Sequence, residues 1–191
     1  MSHPTDDPRT QRERMLAGDL YLASDPELQQ LLLRAARLVE RFNRASVDHA
    51  TERSFILHEL LGSIGEGTEI RAPFYCDYGT HLKIGARTFA NYGLVALDVA
   101  SITIGDDVQI GPNVQLLTPT HPVEPNARRA KFEAAKPIVI GNNVWLGGGV
   151  IVCPGVSVGE DSVVGAGAVI THDLPARVVA VGNPARVLRS I

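Results

Sequence analysis

Residues 140–174 read IGNNVWLGGGVIVCPGVSVGEDSVVGAGAVITHDL, and the period of this stretch decides the architecture. An aliphatic residue returns every six positions, at Ile140, Leu146, Val152, Val158, Val164 and Ile170. Each is followed by a small residue and, four positions on, by Val144, Val150, Val156, Ser162, Ala168 and Leu174. A six-residue step is too short for a strand, a helix and a return, but it suits one flat face of a coil, a short strand plus a tight turn. Three faces close one coil. The sixfold positions then stack into columns inside a narrow prism, and each coil hydrogen-bonds to the coils above and below. Gly141, Gly147, Gly159 and Gly165 are expected at the corners, where little room remains for a side chain.

The same step runs upstream through Ile64, Ile70, Cys76 and Leu82, then Ile84, Ala90, Ala96 and Ile102, then Ile104, Ile110 and Leu116, each run offset from the last by two residues. Before Ile64 the period is helical. Asp25-Pro26-Glu27-Leu28 supplies an N-cap, a proline in the first turn and an acidic residue, followed at helical spacing by Leu28, Leu31, Leu32, Ala35, Leu38, Val39 and Phe42. A second helix is expected over 48–61, stopped by Gly62, and a weaker one over 12–18. The reading is an all-β solenoid over 63–191 preceded by an α-helical region over 1–62. Residues 119–137, with HPVEPNARRAKFEAAKP, break the repeat between two regular segments and are expected to form an extruded loop. Long loops on rigid scaffolds carry function, and this one opens on Thr120-His121-Pro122.

Composition narrows the function. Eighteen Lys and Arg against 21 Asp and Glu leave a net charge of -3, which offers no basic field for nucleic acid or an anionic membrane surface. The N-terminal MSHPTDDPRTQRERM has no apolar leader core, and no run approaches a membrane span, so a cytoplasmic protein is expected. Cys76 and Cys153 are too few for a disulfide framework and read as small buried side chains. No GxSxG elbow and no cysteine paired with a motif histidine is present, so a covalent serine or cysteine intermediate is not expected.

Several stretches together resemble the maltose, galactoside and nodulation-factor O-acetyltransferases of the hexapeptide-repeat superfamily, over nearly the whole chain. They are GDLYLASDPEL and RFN in the helical region, CDYG at Cys76 to Gly79, FAN at Phe89 to Asn91, LD at Leu97-Asp98, IGDDVQIGPNV, THP, PIVIGNNVWLGGGVIVCPGVSVG, GAGAVITHDLP and GNPARV. The resemblance implies a left-handed parallel β-helix, a homotrimer with active sites between subunits, and transfer of acetyl from acetyl-CoA to a hydroxyl of a sugar or glycoside, with no metal. It places His121 as the general base, a role suited to an imidazole that is largely neutral near pH 7.

The same resemblance implies that Asn91 stabilises the transition state and that the Gly148 N–H faces the thioester oxygen. Asn91 could also be a turn residue satisfying local backbone. Asp77 and Tyr78 are implied to border the acceptor. Asp77 could alternatively cap a turn, and Asp98 is either an acceptor contact or a structural turn aspartate. For the coenzyme the family implies Ala166, Thr171, His172, Arg186 and Arg189, the arginines near the phosphates, and Trp145 beside the pantetheine arm or else in the core. His172 stands where relatives usually have lysine, Leu32 where sugar-acetylating relatives often have arginine, and Gly93 where Asn or Asp is commoner. Alternatives within reach of the sequence are a non-sugar hydroxyl acceptor such as an antibiotic, and a non-catalytic trimeric subunit. Zinc lyases of the γ carbonic anhydrase type share the coil but need a close histidine pair, and no two histidines here are five apart.

Overall fold

The computed structural model describes residues 7–191; the part of the N-terminal reading that falls on residues 1–6 lies outside them. Three helices precede the coil. Helix α1 (Gln11–Leu16) opens on a capping box in which the Thr10 hydroxyl accepts from the Glu13 N–H and the Glu13 carboxylate accepts from the Thr10 N–H. Helix α2 (Pro26–Arg44) starts at Asp25, whose carboxylate accepts from the N–H groups of Glu27 and Leu28. Helix α3 (Ala50–Leu60) begins two residues later than expected, because its N-cap, His49, makes no side-chain cap while the Asp48 N–H is taken by the Ser46 hydroxyl.

The rest is a parallel β-solenoid with three faces. The first carries Ser63–Ile64, Leu82–Ile84, Ile102–Ile104, Ile138–Ile140 and Ser157–Val158. The second carries Glu69–Ile70, Phe89–Ala90, Gln109–Ile110, Trp145–Leu146, Val163–Val164 and Val178–Val181, closed by the antiparallel Arg186–Ser190. The third carries Phe74–Cys76, Leu94–Leu97, Gln115–Leu117, Ile151–Val152 and Val169–Ile170. The sixfold positions lie in register, Ile70 on Ala90, Ile110, Leu146, Val164 and Ala180, and fill the interior with aliphatic side chains. Helices α2 and α3 close the open end, joining Leu38, Phe42, Ile56 and Leu60 to Ile70, Phe74 and Leu82 in one core. This spares the first coil an exposed apolar end.

The two-residue offset between the early runs has a local cause. Five residues separate Cys76 from Leu82 and Ala96 from Ile102, whereas three separate Val152 from the equally buried Val156. The register therefore spans 20 residues from Ile64 to Ile84 and again to Ile104, and 18 from Ile140 to Val158. The added residues widen the corner between the third and first faces, and Asp77, Tyr78, His81 and Asp98 gather there.

The 119–137 segment leaves from the same corner and is more ordered than an extruded loop. Pro119–Thr120 pairs antiparallel with Phe132–Ala135, which pairs in turn with Tyr21–Leu22, and a short helix α4 (Pro125–Arg129) caps the tip. Its root is closed by Thr118, whose buried hydroxyl donates to the Leu97 carbonyl and accepts from the Ala100 N–H, and by the Lys136 N–H on the Thr118 carbonyl. Cys76 and Cys153 are unbridged and half-buried rather than fully buried. Among the described residues no helix is long and apolar enough to cross a membrane.

Candidate active site

The widened corner is organised by Asp98. Its side chain is 0% exposed, with Oδ1 accepting from the N–H groups of Asp77 and Tyr78 at 3.1 and 2.8 Å and Oδ2 accepting from the His81 N–H at 3.1 Å. Burial pushes its pKa up while these donors pull it back. Of the two sequence readings of Asp98, this geometry is the structural one: the carboxylate brackets the turn below Asp77. His81 completes the bracket with its Nδ1 on the Asp98 carbonyl at 2.8 Å. A carbonyl can only accept, so the proton is on Nδ1. Tyr78 is also buried and packs in a second apolar cluster with Met15, Tyr21, Leu28, Val99, Ala100 and Ala135. Its expected border with the acceptor is thus a supporting one, beneath Asp77 rather than open to solvent.

Asp77 remains half-buried, and its carboxyl is pushed up to about 6, first by burial and then by the charges of Asp98 and Glu133. Glu133 is a residue the sequence reading missed. It lies on the returning strand of the loop and accepts from the Tyr21 hydroxyl at 3.0 Å. The local signal was weak, although Tyr21 sits inside the family-like GDLYLASDPEL stretch. Leu31 and Leu32 pack half-buried on the same second cluster, so this side of the corner combines carboxylates with an aliphatic wall. His121 follows Pro119–Thr120 directly and is exposed, on the corner shared by Asp77 and Asp98. Thr171 and His172 are exposed on that corner further along the coil, with Thr171 Oγ1 2.9 Å from His172 Nδ1.

The other expected residues occupy a different edge, between the second and third faces. Asn91 follows Phe89–Ala90, with its Oδ1 accepting from the Tyr92 N–H at 2.8 Å, which leaves its Nδ2 as the side-chain donor. Gly148 and Ala166 follow Trp145–Leu146 and Val163–Val164 in the coils beyond, joined by the Gly167 N–H on the Gly148 carbonyl at 2.9 Å. Trp145 projects outward from the second face and is 55% exposed, which removes the core-aromatic alternative. Arg186 and Arg189 are exposed on the closing antiparallel strand, opposite Val181 and Val179. Within one chain, then, His121 and Asn91 stand on opposite sides of the third face.

A cavity of about 760 Å³ lies elsewhere, between α3 and the first coil, lined by Arg53, Leu57, Ile64, Arg71 and Tyr92 among others. It belongs to the capped end, two coils before the root of the His121 segment.

Comparison with known proteins places this architecture. The family model for the maltose acetyltransferase hexapeptide capping motif matches residues 14–65, and that for the bacterial transferase hexapeptide matches residues 137–172. Nodulation protein L of Rhizobium meliloti (strain 1021) is 48% identical over 179 residues, covering 94% of this chain and 98% of that protein. The chain belongs to the maltose and galactoside O-acetyltransferase family. A maltose O-acetyltransferase from Clostridium difficile 630 superposes with a TM-score of 0.95 at 42% identity, over 97% of this chain and 99% of that one. A galactoside acetyltransferase in complex with coenzyme A gives 0.93 at 38%, over 96% and 92%. The family expectation formed from CDYG, THP and the sixfold repeat is thereby met, and the protein is an acetyltransferase by membership.

Proposed function

We propose that the protein moves the acetyl group of acetyl-CoA to a hydroxyl of a sugar or glycoside by direct transfer, with His121 as general base. The observation that carries this is the seat of His121: an exposed imidazole on a stitched strand pair, at the same corner as half-buried Asp77. Asp77 would accept hydrogen bonds from acceptor hydroxyls. The imidazole takes the proton of the attacking hydroxyl as its oxygen bonds to the thioester carbon, a step worth roughly a hundredfold to ten-thousandfold. The oxyanion that forms needs fixed donors, for which the Asn91 amide and the Gly148 N–H are suited. Collapse breaks the carbon–sulfur bond, and the imidazolium returns its proton to the departing thiolate.

The split of these residues over two edges is explained by a homotrimer. If three prisms turn their third faces to a common axis, the His121 corner of one subunit meets the Asn91 edge of the next. Thr171 and His172 then face Gly148 and Ala166 across one groove, with Trp145, Arg186 and Arg189 along its wall for the pantetheine arm and phosphates. The outward positions of the third face support this. They are Tyr75, Val95, Gln115, Ile151 and Val169, mostly apolar, against Ser63, Lys83, Thr103, Val139 and Ser157 on the first. Unbridged cysteines fit a reducing compartment such as the cytoplasm.

The test is thiol release from acetyl-CoA with a panel of glycosides. His121→Ala should lose at least a hundredfold in kcat, with coenzyme affinity by calorimetry unchanged. Turnover at the native rate would overturn the assignment, and an isolable acetyl-enzyme would overturn direct transfer.

A further inference from the structure

Two pieces of chain distant in sequence meet where the His121 segment returns. Tyr21 lies opposite Glu133 in the antiparallel ladder between Tyr21–Leu22 and Phe132–Ala135, and its hydroxyl donates to Glu133 Oε2 at 3.0 Å. The other edge of Phe132–Ala135 pairs with Pro119–Thr120, which lead into His121. Tyr21 is 1% exposed and packs with Met15, Leu28 and Tyr78. Tyr78 packs in the same cluster as Tyr21, the N–H groups of Asp77 and Tyr78 are both held by Asp98, and the Glu133 charge acts on both side chains. Like charges on Asp77 and Asp98 would drive a freely rotating Glu133 side chain out to solvent. A buried phenol, whose own ionisation is suppressed by burial and by the Glu133 charge, gives that carboxylate a donor and a direction.

We propose that Tyr21 is a positioning residue for the acceptor: its hydroxyl fixes Glu133 beside Asp77, so that two carboxylates present a preset pair of hydrogen-bond acceptors to substrate hydroxyls. This rests on the acetyl-transfer reading above and assigns the N-terminal segment a part in it. Preset acceptors spare the substrate the ordering of a mobile glutamate at the moment of binding.

Tyr21→Phe keeps the buried ring and removes the hydrogen bond. With maltose and p-nitrophenyl β-galactoside as acceptors, kcat/KM for the acceptor should fall about tenfold, near the worth of one hydrogen bond to a charged group, while KM for acetyl-CoA holds. Glu133→Gln should cost about as much in the native protein and little more in the Tyr21→Phe background. A purely packing role for Tyr21 predicts native kinetics for Tyr21→Phe, or costs that add; either result overturns the proposal. Circular dichroism melting checks folding. Should Tyr21→Phe not fold, Glu133→Gln alone decides: lower acceptor kcat/KM with intact acetyl-CoA KM supports it, and native acceptor kinetics overturns it. His121→Ala run beside them separates the readings. An active His121→Ala removes His121 as the base, and with it the site on which this proposal rests, whereas an inactive one beside native-like Tyr21→Phe removes only the positioning role.

Discussion

Asp77 shows how this corner trades stability for chemistry. Its carboxyl ordinarily titrates at 3.8 and is pushed up to about 6 by burial and by the neighbouring acids, so between roughly pH 4 and 6 the folded protein holds a proton that the unfolded chain has released. Folding stability therefore falls as pH rises through that window, and the cost is fully present at pH 7. Asp77→Asn should raise the thermal midpoint at pH 7, by an amount equivalent to about 1 kcal/mol once solvent screening at this half-buried site is discounted. The gain should vanish below pH 4, and a midpoint difference independent of pH would show that Asp77 is not strained as described. The same substitution should raise KM for the acceptor. Little of this was legible beforehand: the CDYG stretch marked the position, but its electrostatics depend on burial and on Asp98 of the next coil, with a further contribution from Glu133, 56 positions downstream.

At the scale of the element, what governs the coil is the closeness of successive corners. A methyl group added at Gly147 would sit 2.6 Å from the Ala166 N and 2.9 Å from the Val164 carbonyl oxygen of the next coil, neither of which can move without breaking the ladder. Gly147→Ala should cost about 2–3 kcal/mol. Gly167, with φ +71 but nothing within 4 Å of its added methyl, should cost about 1 kcal/mol for its left-handed backbone alone. Urea melts of the two variants would check the order, and equal losses would contradict it. The sixfold period announced these corners because a solenoid's contacts are between neighbouring repeats. It announced the 119–137 segment only as an interruption. Phe132–Ala135 holds no β-branched residue, and its partners come from Pro119–Thr120 and, 112 positions away, from Tyr21–Leu22, so neither propensity nor local pattern could disclose a three-stranded patch.

For the whole molecule, the separation of His121 and Asn91 on opposite sides of the third face gives a prediction that no single-chain site makes. His121→Ala and Asn91→Ala subunits should each be nearly inactive alone. When unfolded together and reassembled, mixed trimers contain interfaces at which an intact His121 meets an intact Asn91, and a substantial fraction of activity should return. If mixing restores nothing, while sedimentation confirms that the trimers exchanged, both residues serve one chain and the three-prism arrangement is wrong. Handedness and subunit count were implied by likeness to relatives and not by the period, since a six-residue step fixes the width of a face and leaves the sense of winding open.

The change of pitch along the coil has a consequence of its own. Between Ile140 and Ile170 each rung is three whole repeats, 18 residues, so a duplicated rung could be spliced in there and the helix would simply grow taller. Between Ile64 and Ile104 the longer pitch is tied to Asp98 and its bracket, and a copied rung would misalign the carboxylates. The architecture is thus extensible between Ile140 and Ile170 and locked between Ile64 and Ile104, so novelty around Asp77 should arise by substitution in place, and novelty in length by copying.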